Sequence, residues 1–241
     1  MPETILVCVA WPYANTPLHA GQIAGAYLPA DIFARYHRMR GNRVLMVSGS
    51  DMHGTPITVA ADKLGMTARE LAEQNHAGIT ESFERLGLSY DLYTSTLTPI
   101  HYRVTQDFFL RLLEQGYLFQ DTQIAMYDPQ AQRFLPDRYV EGTCPFCGFA
   151  NARGDQCDNC GKQIDALELI SPRCKLCGEE PCPRETEHFF LDLPQMNAAL
   201  TEWIAAQDHW RPHVRAFALG LLNEGLRPRA ITRDIDWGIP V

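Results

Sequence analysis

The sequence predicts an α/β fold: a parallel sheet with helical crossovers, into which a cysteine-rich segment is inserted. Three features carry that prediction: a strand, helix, strand succession from Thr4 to Ser48, a series of capped helices behind it, and a change near Tyr117 to short strands and paired cysteines. Length agrees, since 241 residues suit one elaborated domain or a domain with a sizeable insert.

Taken in order, Thr4 to Val9 is a β-branched, apolar run that fits a buried parallel strand, and Cys8 within it reads as a buried thiol. Gly21 to Arg40 has helical character, with Ile23, Tyr27, Phe33 and Tyr36 available to pack and Gly41 placed as its cap. Pro29 inside that pattern is expected to kink it. Arg43 to Ser48 is a second strand, completing a βαβ unit whose crossover is expected to be right-handed. Thr55 and Pro56 start a helix that Gly65 stops, and Thr67-Ala68-Arg69-Glu70 is a capping box for a helix to about Leu86. Thr98-Pro99 starts another, carrying Val104, Phe108, Leu112 and Leu113 toward a core and ending at Gly116.

Beyond Tyr117, Thr122 to Tyr127 and Arg133 to Leu135 read as short antiparallel strands about a turn at Asp128-Pro129, followed by knuckles to about Cys182. Phe189 to Leu193 reads as a strand. Gln195 to Ala206 and Pro212 to Glu224 read as helices, the latter capped by Gly225. The expected organisation is a first sheet-forming part over 1–116, an insert over 117–210 and a return segment over 211–241.

A hydrophobic share of 46% and a charged share of 21% are those of an ordinary globular protein. The formal net charge of −8 argues against a surface that grips nucleic acid nonspecifically, while leaving local recognition of an RNA end open. No apolar run approaches the ~20 residues that span a membrane, and the N-terminus lacks a signal-peptide pattern, so the chain reads as cytoplasmic without a membrane partner. In that reducing compartment six of the eight cysteines, arranged as three CxxC pairs, point to metal before disulfide.

The stretch Ala10-Trp11-Pro12-Tyr13-Ala14-Asn15-Thr16-Pro17-Leu18-His19-Ala20-Gly21-Gln22 joins the first strand to the first helix. Its prolines stiffen the approach, and Gly21 admits close backbone contact where the helix begins. A helix N-terminus reached this way is a seat for phosphate, to which His19 can donate a hydrogen bond; the plainer reading is an exposed loop histidine. Ligands of open parallel sheets bind beyond the carboxyl ends of the strands, so the loop Gly49-Ser50-Asp51-Met52-His53-Gly54 faces the same crevice. Asp51 there either caps the next helix or holds a ligand ammonium, and His53 either orients the loop or touches ligand. Trp11 and Tyr13 either pack or border an apolar side-chain pocket.

Cys144-x2-Cys147-x9-Cys157-x2-Cys160 gives two knuckles, with Gly148 and Gly161 directly after each pair so that backbone N–H groups can turn toward the sulfurs. Four thiolates around Zn²⁺ form a closed, structural site, with a redox CxxC as the rival. Cys157/Cys160 with Cys174/Cys177 is a second possible partition, and Cys182 or His188 is available to a second metal. The first partition is preferred for its shorter joining loop and its two following glycines.

The residues from Ala10 to Gln22, Ser50 to Pro56, Gly142 to Gly161, and Arg229 to Pro240 together resemble, in order, class I aminoacyl-tRNA synthetases of the methionyl type. The resemblance implies a Rossmann-type catalytic fold interrupted by a connective insert that carries structural Zn²⁺. It further implies ATP-dependent adenylation of methionine, ATP entering with Mg²⁺, and transfer to the acceptor end of tRNA(Met). By the same resemblance His19, Gly21 and Gln22 form the catalytic, phosphate-side set. Trp11, Pro12, Tyr13, Ala14, Asn15, Asp51 and His53 bind substrate, Asp51 taking the methionine ammonium.

Two departures stand out. Gln22 occupies the place of the signature's usual final histidine, and no Lys-Met-Ser-Lys-Ser-like loop or helical anticodon-binding domain occurs before Val241. The expectation is half a catalytic domain plus its insert, weak or inactive alone. The rival from another class is a noncatalytic RNA- or protein-binding module that keeps the zinc knuckles and tolerates change at His19.

Overall fold

β1 (Thr4–Cys8) and β2 (Arg43–Ser50) lie parallel and in register from Thr4↔Arg43 to Cys8↔Val47, the strand pair expected from the βαβ pattern. The computed structural model describes residues 2–241. The chain divides into two units, the segment up to Gln106 with Asp236–Val241, and Asp107–Ile235.

In the first unit β3 (Leu92–Ser95) adds to the other edge of β2, giving a three-stranded parallel sheet in the order β1-β2-β3. This α/β arrangement has the expected class. The strands are not buried on both faces, however: Leu6 is 61% exposed and Leu45 50%, and Cys8, on the same side of β1 as Leu6, is exposed rather than buried. Period-two alternation sends Ile5 and Val7 to the other, better-covered side.

The crossover helix begins as α1 (Ala20–Gln22), widens into a π-helical turn over Ile23–Tyr27, and continues as α2 (Leu28–Met39). The wide turn places the Leu28 N–H on the Ile23 carbonyl, immediately before Pro29, which has no N–H to give. The expected kink is thus a change of helical pitch. Tyr27 is buried, whereas Phe33 and Tyr36 are exposed, so only part of the expected packing face is covered. Gly41 (φ 83°) ends the helix, with Asn42 N–H reaching the His37 carbonyl at 3.1 Å.

α3 (Thr55–Leu64) stops at Gly65 in the left-handed conformation, and α4 (Ala68–Arg85) opens on the expected capping box. Glu70 N–H donates to Thr67 Oγ1 at 3.2 Å, and Thr67 N–H to Glu70 Oε2 at 3.0 Å. Val9, Tyr27, Ala34, Met46, Ile79 and Phe83 form one core cluster. A second, of Ala14, Met52, Ile57 and Ala72 flanked by Leu97 and Trp237, lies at the carboxyl end of β2. α5 (Pro99–Glu114) buries none of its residues: Val104 is 57% exposed and Phe108 63%. Its apolar spacing identified a face without showing what covers it.

In the second unit β4 (Leu118–Asp128) pairs antiparallel with β9 (Cys182–Leu191) along its length, from Leu118↔Leu191 to Tyr127↔Cys182. β5 (Arg133–Phe134) and β10 (Arg229–Ala230) complete that sheet in the order β10-β9-β4-β5. A smaller sheet of order β7-β6-β8 joins β6 (Val140–Thr143), β7 (Ala152–Arg153) and β8 (Ile170–Cys174) around the cysteines. α6 (Leu193–Ala205) and α7 (Pro212–Glu224) pack on each other.

Candidate active site and cysteine centre

The loop after β1 is stitched to the end of β2 by backbone hydrogen bonds. Val9 N–H donates to the Val47 carbonyl (3.0 Å), Asp51 N–H to Pro12 (2.8 Å) and Ala14 N–H to Asp51 (2.9 Å), so Tyr13 and Asp51 pair as in a parallel sheet. Alternation follows: Pro12 and Ala14 turn inward and are buried, while Trp11 and Tyr13 turn out and are exposed. A Cβ added at Gly49 would lie 2.6 Å from the Trp11 ring and from the Thr94 carbonyl oxygen, so the indole lies directly over the β2 backbone. From α4, Asn75 Nδ2 donates to the Ala14 carbonyl at 3.1 Å.

His19 caps α1. Its Nδ1 accepts the Gln22 N–H (3.2 Å), and Gln22 Oε1 accepts the His19 N–H (3.1 Å), a reciprocal capping box in which Gln22 does the work of the usual Glu or Gln at that position. Accepting at Nδ1 assigns the ring proton of neutral His19 to Nε2, and the ring is exposed. A Cβ at Gly21 would lie 3.1 Å from His19 Nδ1, so the glycine makes room for the imidazole.

Asp51 Oδ1 accepts the His53 N–H at 3.3 Å. Burial pushes its carboxyl above the usual carboxylate range, partly offset by that hydrogen bond and by His101. Both ring nitrogens of His53 are engaged, Nε2 with Tyr102 OH (3.1 Å) and Nδ1 with Thr96 Oγ1 (3.2 Å), and burial holds its pKa down, assisted by the charges of His101 and Arg69. These bonds tie the His53 ring to Thr96 and Tyr102. Trp237 donates from Nε1 to the Met52 carbonyl at 2.7 Å, and its ring lies 5.3 Å from that of His53, under the Arg69 guanidinium. Beneath Asp51, Ser50 Oγ bonds both His76 Nδ1 and Tyr93 OH at 2.8 Å, and burial pushes the Tyr93 hydroxyl up to about 12. Asn15, half-buried, completes the sequence-predicted set.

In the second unit the sulfurs of Cys144, Cys147, Cys157 and Cys160 lie within 4.8 Å of one another. Cys144 and Cys160 are 3.9 Å apart and Cys147 and Cys157 3.7 Å, against the ~3.8 Å edge of a tetrahedron with Zn–S of about 2.3 Å. Without a cation these thiols share charge poorly. The Asn159 amide and Phe149 N–H hold Cys147 down to about 6; Cys160, though favoured by Lys162 N–H, is pushed up to about 11 by desolvation and the neighbouring sulfurs. The donor set fits a divalent, thiophilic ion. Cys182 lies outside this group, and His188 is committed elsewhere, with Nε2 3.1 Å from Asp234 and Nδ1 3.0 Å from Thr232 Oγ1.

The family described as tRNA synthetases class I (M) matches residues 5–241. The chain belongs to this family. Among its relatives, the methionine–tRNA ligase of Thermomicrobium roseum is 59% identical over 241 residues, covering 100% of this chain and 41% of the relative. That of Roseiflexus sp. is 58% identical over 243 residues, with the same 41% covered. This class I synthetase chain thus spans about two-fifths of the length of the curated relatives it matches. Its fold is that of the Mycobacterium tuberculosis methionyl-tRNA synthetase solved with bound methionyl-adenylate, at a TM-score of 0.71 and 21% identity, over 100% of this chain and 43% of that one. A leucyl enzyme from Agrobacterium radiobacter K84, in a ternary complex with tRNA, matches at a TM-score of 0.64 and 22% identity over 91% of this chain and 25% of that one.

Sequence reading of the synthetase chain missed Asn75, His76, Tyr93, Thr96, Tyr102 and Trp237. They lie far from the signature loops in sequence and meet them only through α4, β3, α5 and the last residues. Trp237, within the Arg229 to Pro240 stretch, was the one with a signal.

Proposed function

We propose that this chain forms part of the active site of an ATP-dependent methionine–tRNA ligase. The carboxylate of methionine attacks the α-phosphate of ATP, supplied with Mg²⁺, and pyrophosphate leaves. The terminal ribose hydroxyl of tRNA(Met) then attacks the methionyl carbonyl, and AMP leaves. The observation that carries this reading is the stitching of the Trp11–Asn15 loop to Asp51, which sets the two apolar rings and a desolvated carboxylate together at one sheet end. Asp51 takes the methionine ammonium, Trp11 and Tyr13 border its thioether side chain, and His19 Nε2–H donates to the ATP phosphates as negative charge builds there. His53 holds the Asp51 loop in place. Zn²⁺ at Cys144, Cys147, Cys157 and Cys160 supplies structure and no chemistry. No described helix is long and apolar enough to cross a membrane.

Methionine-dependent ATP–pyrophosphate exchange tests the reading, measured on the 241-residue chain and on the intact protein that bears it, should that be longer. Asp51→Asn is expected to weaken methionine by about 10²-fold, the cost of leaving a cation unpaired in a desolvated site. His19→Ala is expected to slow exchange by about 10²- to 10³-fold with methionine affinity kept. Because the Asp51 carboxyl is raised, methionine affinity declines on acidification before an ordinary carboxylate titrates. The same shift has a stability sign: ionised Asp51 is penalised by burial, so Asp51→Asn raises the melting temperature at neutral pH, and the gain disappears as pH falls through the raised pKa. RNA binding that survives in a protein with no exchange activity and no response to His19→Ala would favour the noncatalytic module instead.

A further inference from the structure

The backbone around Asp51 is held from two sides. Toward the first loop, Asp51 N–H donates to the Pro12 carbonyl (2.8 Å) and the Asp51 carbonyl accepts Ala14 N–H (2.9 Å). On the β3 side the two flanking peptide groups go to one residue, Thr96. The Ser50 carbonyl accepts Thr96 N–H at 3.2 Å, and Met52 N–H donates to Thr96 Oγ1 at 2.9 Å.

This is the next rung of a parallel ladder with one atom exchanged. β2 and β3 are in register at Ser50↔Ser95, so Thr96 falls opposite Asp51, and a regular strand would answer Met52 N–H with its main-chain carbonyl. The hydroxyl takes that place at a residue only 9% exposed. A carbonyl can only accept, whereas a hydroxyl still has a hydrogen to give. His53 Nδ1 lies 3.2 Å from Thr96 Oγ1, and no other acceptor for that hydrogen occurs among the described residues. Burial holds the His53 pKa down, so Nδ1 of the neutral ring accepts and the ring proton sits on Nε2, which donates to Tyr102 OH at 3.1 Å.

We propose that Thr96 is a positioning residue for Asp51: by holding the peptide groups on both sides of it, Thr96 sets the direction in which the carboxylate meets the methionine ammonium. The inference rests on the role proposed above for Asp51. Thr96 itself touches no substrate. It acts by meeting the ordering cost of the Asp51 loop during folding, so that little of it is left for binding. Thr96→Val keeps the shape of the side chain, but it leaves Met52 N–H without its acceptor in a residue 1% exposed and His53 Nδ1 without its donor. Thr96→Ser keeps the hydroxyl and both bonds.

The test pairs these variants in the methionine-dependent ATP–pyrophosphate exchange described above. Thr96→Val is expected to raise the KM for methionine about tenfold, the cost of one buried donor left unpaired, with kcat and the KM for ATP unchanged. Thr96→Ser is expected to restore the methionine KM. A ¹⁵N–¹H correlation spectrum of the histidine rings reads the clamp without any ligand: His53 carries its proton on Nε2 in the unaltered protein and in Thr96→Ser, and divides between both tautomers in Thr96→Val. The spectrum of the unaltered protein is decisive even if Thr96→Val does not fold, because a proton on Nδ1 there would overturn the proposal. So would an unchanged methionine KM in Thr96→Val, or a Thr96→Ser variant as impaired as Thr96→Val. Normal methionine use by Asp51→Asn overturns the functional reading and this proposal with it, whereas an impaired Asp51→Asn beside an unimpaired Thr96→Val overturns the positioning role alone.

Discussion

The signature loops and the four-cysteine centre reach a defined geometry by opposite means. Around Asp51 the polypeptide supplies every constraint: backbone bonds from the first loop to the second strand, the Asn75 amide on Ala14, and the reciprocal cap of His19 and Gln22. Around Cys144 the chain supplies only approach. The knuckles bring four sulfurs to tetrahedral spacing, but these sulfurs cannot all ionise together without a cation to balance them. The first region is preorganised by covalent sequence; on the reading proposed above, the second is completed by an ion. Metal removal should therefore separate them.

The largest effect is expected at Cys157, which is buried in the four-cysteine group. Cys157→Ser removes one of the four grouped sulfurs, and where Zn²⁺ is held by such a group it contributes on the order of 10 kcal/mol to folding. Hydrogen exchange followed by mass spectrometry should show protection lost across β6, β7 and β8 while α4 and β2 keep theirs; a strong chelator applied to the unaltered chain should reproduce the pattern. Equal loss of protection in both units would break the comparison.

An intermediate effect sharpens the other half. Gly49→Ala places a methyl group against the Trp11 indole and the Thr94 carbonyl, and neither β2 nor β3 can move aside without losing ladder bonds. Overpacking of this kind costs about 1–3 kcal/mol. The indole, having an exposed edge, is the part that shifts, so the expected signature is a change in Trp11 fluorescence and weaker methionine binding, with zinc content unchanged.

Much of this division was legible in the sequence, and its limits are instructive. Capping signals are local, so Thr67 with Glu70, Gly41, Gly65 and Gly225 marked helix ends correctly. The knuckle spacing is local too, and it brought together the four cysteines of the preferred partition. Failures came where tertiary pairing decides. β3, with only Leu92-Tyr93-Thr94-Ser95, carries no apolar run, and its strand character comes from pairing with β2. The exposure of Cys8, Phe33, Tyr36, Val104 and Phe108 has the same origin: periodicity shows that a face is apolar, not whether anything covers it. His53 was ambiguous because its partners, Thr96 and Tyr102, lie more than forty residues away.

The smallest effect is the most discriminating. Asn75 and His76 are neighbours on α4, and each braces one side of the loop site, Asn75 through the Ala14 carbonyl and His76 through Ser50 Oγ. If the polypeptide alone holds this geometry, then removing one brace must cost only what one hydrogen bond is worth, because Ala14 N–H and Asp51 N–H keep the loop attached. Asn75→Ala should cost about 1 kcal/mol, read as an approximately fivefold rise in the methionine dissociation constant with ATP affinity unaltered. His76→Ala, acting on Ser50, should give a similar rise, and the double substitution should exceed the sum, since both braces restrain the same Ala14–Asp51 pairing. Strict additivity would mean that the two loops move independently, and the stitching between them would then not be the constraint that sets the site.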